Sequence, residues 1–254
     1  MVYIGGASIN EYGSGEGGKP GDQNGEECYI QPWYLHRKGW TVIRAKSREM
    51  AHKIAEDMGF LCDNDKIGYS YWEHCYSLYN EVKKYNYDCS KVTIPCETNC
   101  AKAVWVCALY AGANVKDFST ADEVQKFKDS GEFDIITDPS ICDSPDYLLK
   151  GDILVTNSKG HTVVCMNDGE KMSKFHWFCD TVFAGNYKVN DDANIRELPG
   201  LEFETVTTIS KDKKVFSDGM YCVRNDGRIW HHIFAEGNEG FVSGKMVEIE
   251  EERN

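Results

Sequence analysis

The chain has 254 residues, enough to bury a core without disulfide or metal staples, as one large domain or two unequal ones. Its 41 acidic against 28 basic residues leave a net charge of −13, which excludes a general electrostatic attraction to nucleic acid or anionic lipid. No apolar run reaches membrane-spanning length, and the opening MVYIGGASINEYGSGEGG has no basic region followed by an apolar one. The expectation is a protein made in the cytoplasm without a signal peptide and without membrane insertion.

Eleven cysteines are many for this length, but the number is odd and no secretory signal accompanies it, so most are expected to be reduced, small packing residues. Cys89, Cys96, Cys100 and Cys107 follow one another at intervals of seven, four and seven with no CxxC pair and no neighbouring histidine, which argues against structural zinc.

In chain order, residues 1–30 are rich in Gly, Asn, Asp and Glu and read as loop, and GWTVIRA at 39–45 reads as extended. Ser47 then caps a helix in which Met50, Ile54, Ala55 and Met58 recur at helical spacing up to Gly59. A second helix is predicted over 71–85, its Tyr and Trp stripe read as core. Past Pro95, CAKAVWVCALYAG sets Ala103, Val104, Cys107, Ala108 and Ala111 on one face, a buried helix capped by Thr98 or Asn99 and stopped by Gly112. Residues 113–148 read as loops and short helices.

From 151 the texture turns to strands: GDILVT, GHTVVCM and, after a turn at NDGE, KMSKFHWF. Helices first and strands later predict an α+β domain over residues 1–182. Short extended runs from 183 to 254, separated by Gly, Asp and Asn turns, predict a small all-β barrel. His36, His52 and His74 read as surface or core residues of helical parts, and His231 and His232 as surface strand residues of the barrel.

The three thiols around the buried helix differ in position. Cys96 precedes the helix, Cys107 faces the core, and Cys100 lies in the first turn, where unpaired N–H groups and the helix dipole favour an anion. A thiol so placed can have its pKa lowered into roughly the 3.5 to 7.5 range and serve as a nucleophile. It needs a base within hydrogen-bond reach, and the base needs an orienting partner.

His161, which opens a strand directly after Gly160, is the candidate base. A two-residue type I′ turn at Asp168-Gly169 would set His161 opposite His176, with Cβ atoms about 4.5 to 5.5 Å apart. Asn167, six residues along the same strand, would lie roughly 20 Å away. His176 is therefore the expected orienting residue, Asn167 and Asp168 the alternatives, and a one-residue slip would move His176 to the other face.

Segment 93–113, with LLKGDILV at 148–155 and GHTVV at 160–164, resembles the endolysin-like phage and prophage peptidoglycan hydrolases of the papain-like, NlpC-type cysteine peptidase superfamily, related to CHAP enzymes. The N-terminal ASINEYGSGEGGKPGDQNGEECYIQPWY is similar to the opening of those prophage enzymes. Carried over, the resemblance implies Cys100 as nucleophile and His161 as base, and it does not settle the third residue. Two positions depart from the pattern. Asn99 stands where relatives usually have Asp, and Ala101-Lys102 replace a pair of small residues, which sets Lys102 beside the nucleophile. ANIRELPGLEFETVTTISKDKKVF followed by GFVSGKMVEI resembles a bacterial SH3-like cell-wall-binding domain, carried by Asn194, Ile195, Arg196, Pro199, Gly200, Gly240, Phe241 and Val242.

The expected activity is hydrolysis of amide bonds in the wall peptide, with the Cys100 N–H at the helix start meeting the oxyanion and no metal or organic cofactor required. An N-acetylmuramoyl-L-alanine amidase with the same site, or an inactive wall-binding or phage tail protein, are the alternatives; a zinc hydrolase is a weaker rival. The expected partner is bacterial peptidoglycan, met by a monomer after release from the cell or as part of a phage particle.

Overall fold

The computed structural model describes residues 1–72, 74–172, 175–224 and 227–250, leaving aside the side chains of 140, 176, 177, 179 and 181. The chain is mixed α+β and divides into two units, Met1–Met172 and Ser173–Asn254. The boundary expected near residue 183 falls inside a strand of the second unit, His176–Val189.

The first unit runs β1 (Tyr3–Ala7), β2 (Cys28–Pro32), β3 (Trp40–Ala45), α1 (Arg48–Cys62), β4 (Ile67–Tyr69), α2 (Ser77–Val82), β5 (Cys96–Thr98), α3 (Cys100–Tyr110), α4 (Glu123–Ser130), β6 (Phe133–Ile136), α5 (Pro139–Cys142), β7 (Ile153–Thr156) and β8 (Thr162–Cys165). Six of its strands form an antiparallel sheet in the order β2-β1-β8-β7-β3-β6, while β4 and β5 pair in parallel apart from it.

Local chemistry explains the helices. Ser47 accepts a hydrogen bond from the Met50 N–H at 3.2 Å and starts α1, whose Ala51, Ile54, Ala55, Met58 and Leu61 lie buried at helical spacing. α1 runs past Gly59 to Cys62. In α3 every residue from Cys100 to Ala108 is buried, so it is a core helix rather than one with a single apolar face. The helix expected over 71–85 is shorter, with α2 at Ser77–Val82 continued by one 3₁₀ turn, Lys83–Tyr85.

Two expectations fail for a topological reason. Residues 1–30, read as loop, contribute β1 and β2 at one side of the sheet. β1 then pairs with β8 through Ile4 opposite Cys165 and Gly5 opposite Val164, so that edge of β8 is already taken. The hairpin that would have set His161 opposite His176 therefore does not form. After β8 the chain folds back on residues 145–150 instead: the Gly169 N–H donates to the Leu148 carbonyl at 2.8 Å and the Lys171 N–H to the Asp146 carbonyl at 3.1 Å. A Cβ on Gly169 would stand 2.1 Å from the Pro145 carbonyl oxygen, so only glycine allows this approach.

The second unit comprises β9 (His176–Val189), β10 (Ala193–Arg196), β11 (Thr205–Ile209), β12 (Lys214–Val223), β13 (Ile229–Ala235), β14 (Asn238–Ser243) and β15 (Val247–Ile249). They form one curled sheet ordered β11-β10-β14-β13-β12-β9-β15 over a core that includes Ile195, Ile209, Ile233 and Val242. His176 pairs through its backbone with Val223 in this sheet. His231 and His232, expected on the surface, are buried, the latter bonded through Nδ1 to Asp218 at 2.9 Å.

Candidate active site

β5 delivers an extended chain to Asn99, whose φ of −119° and ψ of 176° are those of a helix cap. The Asn99 side chain accepts from the Lys102 N–H at 2.9 Å and donates through Nδ2 to the Tyr71 carbonyl at 3.0 Å. α3 therefore starts at Cys100, as the sequence predicts. The thiol does not behave as its position alone implies. It is 6 % exposed, and burial pushes it up to about 11, with the carboxyl of Glu123 adding in the same direction. The backbone N–H groups of Thr162, Ala101 and Cys100 itself favour the thiolate but do not offset the loss of water.

His161 is held by its own turn. The Thr156 hydroxyl accepts from the N–H groups of Gly160 at 3.0 Å and His161 at 3.1 Å, and the His161 carbonyl accepts from the Thr156 N–H at 2.9 Å. Lys159 takes a left-handed φ of 57° to close the turn. Burial, and then the neighbouring His36, bring the imidazole down to about 4, so it is neutral at physiological pH. Its Nε2 lies 2.9 Å from the hydroxyl of Tyr29 on β2.

Thr162, the next residue, ties the histidine's strand to the thiol. Its backbone N–H faces the Cys100 sulfur, and its hydroxyl donates to Glu123 Oε1 at 2.7 Å. Glu123 is fully buried at the start of α4, and burial raises its carboxyl to about 8. Its Oε2 has no hydrogen-bond partner among the described residues. Cys100, Thr162 and Glu123 thus form one buried group with His161 beside it.

Asn167 and Asp168 lie at another place in the first unit. Asn167 accepts from the Tyr3 N–H at 2.8 Å and donates to the Met1 carbonyl at 3.0 Å, and Asp168 accepts from the Lys150 N–H at 2.7 Å and from Arg48 at 3.3 Å. Both fasten the far end of β8, while the side chain of His176 lies outside the described residues. Lys102 is buried with its ammonium on Asp117 and the Phe118 carbonyl and over the ring of Tyr76, so its charge is satisfied within the fold.

Tyr29 and Glu123 escape sequence reasoning. The alternation in CYIQP is the faint signal for a strand at 28–32, hidden in a Gly-rich segment; for Glu123 there is none, because a helix-start glutamate is ordinarily solvated. A cavity of about 570 Å³ lies against Tyr29 and His161, with Tyr34, Gln31, Glu26 and Asp63 also in its wall. Among the described residues no three His, Cys, Asp or Glu side chains are grouped to hold a metal ion.

A family model described as an endolysin-like domain matches residues 4–172. The chain belongs to the endolysin-like domain family. The match covers the first unit almost from end to end and contains Cys100, His161, Tyr29, Thr162 and Glu123. No curated protein and no solved structure matches the chain. An endolysin-like domain acts on the bacterial cell wall, with peptidoglycan as substrate. Among the described residues no helix of this endolysin-like chain is long and apolar enough to cross a membrane.

Proposed function

We propose that the first unit is a papain-like cysteine hydrolase, related to NlpC-type and CHAP enzymes, that cleaves amide bonds of the wall peptide through Cys100 and His161. The observation that carries this reading is the contact between the Thr162 N–H and the Cys100 sulfur, because it sets the start of α3 against the residue that follows His161. With the thiol near 11 and the imidazole near 4, the resting pair is neutral. Cys100 then loses its proton to His161 as the sulfur attacks the peptide carbonyl, and the imidazolium returns it to the leaving amine. Water next releases the acyl group with His161 again as base. The N–H of Cys100, at the start of α3, is the donor for the oxyanion.

The second unit is proposed as an SH3-like wall-binding module. Support comes from the pairing of its two sequence signatures, since Arg196 of NIR lies opposite Phe241 of GFV and a Cβ on Gly240 would come 2.6 Å from the Arg196 carbonyl oxygen.

The test is cleavage of purified peptidoglycan by the full chain and by Cys100→Ala and His161→Ala, with fragments identified by mass spectrometry. New amino termini from the wild type and none from either variant are expected. Fragments freed at the muramic acid to L-alanine bond would make the enzyme an amidase with the same site. Equal release by wild type and Cys100→Ala, or binding without release from several wall types, would overturn the cysteine mechanism.

A further inference from the structure

Catalysis by a neutral thiol and imidazole requires that the imidazole present a bare nitrogen to the sulfur, so something has to fix both ring and tautomer. Of the expected candidates for this task, Asn167 and Asp168 are engaged at the far end of β8, and the side chain of His176 is outside the described residues. What faces the ring is Tyr29, with its hydroxyl 2.9 Å from Nε2. We propose that Tyr29 is the positioning residue of the site, holding His161 so that Nε2 is turned away from the thiol and Nδ1 is left to take its proton. The inference rests on the Cys100 and His161 reading above.

The backbone is arranged for this contact. Tyr29 lies on β2 and His161 immediately precedes β8, two strands separated by β1, so their chains are roughly 9 to 10 Å apart at the usual strand spacing. The tyrosine ring reaches over β1 at the position of its own register partner, Gly6. A Cβ on Gly6 would stand 3.0 Å from Val163 on β8 but at an ordinary 3.6 Å contact distance from the Tyr29 hydroxyl, so the tyrosine packs directly over this glycine's backbone. The carbonyl of Tyr29 accepts from the Cys62 thiol at 3.2 Å, which fastens the residue from the α1 side.

The donor direction follows from the chemistry. For Nδ1 to accept a proton, Nε2 must carry one, and that N–H is donated to the phenol oxygen of Tyr29. Burial keeps the Tyr29 hydroxyl far above its ordinary value, so it serves as a neutral acceptor. A neutral acceptor fixes the tautomer without the charge by which a carboxylate would stabilise the imidazolium, in keeping with the depressed histidine.

The experiment is Tyr29→Phe in the full chain, which keeps the ring and its packing and removes only the oxygen. Peptidoglycan cleavage should lose about tenfold to a hundredfold in kcat, with KM within about twofold. Imidazole ¹⁵N spectra should place the proton on Nε2 in the wild type and show a mixture of tautomers in the variant. Wild-type kcat together with an unchanged tautomer in Tyr29→Phe would overturn the proposal. The spectra read the Tyr29 contact whatever the nucleophile is, so an active Cys100→Ala would sink the cysteine mechanism without being mistaken for a failure at Tyr29.

Discussion

Replacing Glu123 by glutamine separates what its charge does from what its shape does. In the native chain the carboxyl is fully buried, bonded among the described residues to Thr162, and it titrates near 8 rather than at its ordinary 4.5. The folded state therefore keeps a proton that the unfolded chain gives up above 4.5. Stability is unaffected by this group at lower pH, falls as pH rises from about 4.5 to about 8, and levels off above that. At about 1.4 kcal/mol per pH unit the loss is on the order of 3 kcal/mol at pH 7 and 5 kcal/mol at pH 9. The substituted side chain still accepts from the Thr162 hydroxyl but buries an amide N–H₂ without a partner, at about 1 to 3 kcal/mol independent of pH. Glu123→Gln should accordingly be less stable than the wild type at pH 5 and more stable at pH 9. Urea unfolding at both values, read by pulsed alkylation of the fully buried Cys107, measures the difference in this unit. Parallel pH dependences for the two proteins would mean that Glu123 titrates as an ordinary carboxyl and that the burial argument is wrong.

Two further outcomes are expected. Alkylation of Cys100 by iodoacetamide should be slow at pH 7, where a thiol near 11 is ionised in roughly one molecule in ten thousand, and should keep climbing to pH 10; a rate already flat at pH 7 would show a thiolate held by a positive partner instead. In the second unit Gly240→Ala pushes a methyl to 2.6 Å from the Arg196 carbonyl and 2.9 Å from Ile195, which should cost about 1 to 3 kcal/mol in urea unfolding of that unit and weaken its retention on peptidoglycan; unchanged unfolding would contradict the close passage of β10 and β14.

Sequence alone determined the features whose causes lie within a few residues. The cap at Asn99, and with it Cys100 at the head of α3, follows from one side chain bonding an N–H three residues on. Ser47 and α1 follow in the same way, and the short extended runs between Gly, Asp and Asn turns announce most strands of the second unit. The start of β8 just after Gly160 and His161 is legible because a glycine-led strand start is local too.

Tertiary structure decided the rest. Which strand lies beside β8 depends on which edge is free, and β1 arrives there from more than 150 residues upstream, so the hairpin at Asp168-Gly169 was decided by a segment that reads as loop. The pKa values of Cys100, His161 and Glu123 sum the removal of water by the whole fold, which here outweighs the helix start beneath the thiol. Tyr29 reaches the imidazole because β2 and β8, distant in sequence, pack on either side of β1. Capping and alternation act over one turn or one pleat and can be read along the chain; strand partners, burial and the ring that faces a histidine are properties of the packed whole.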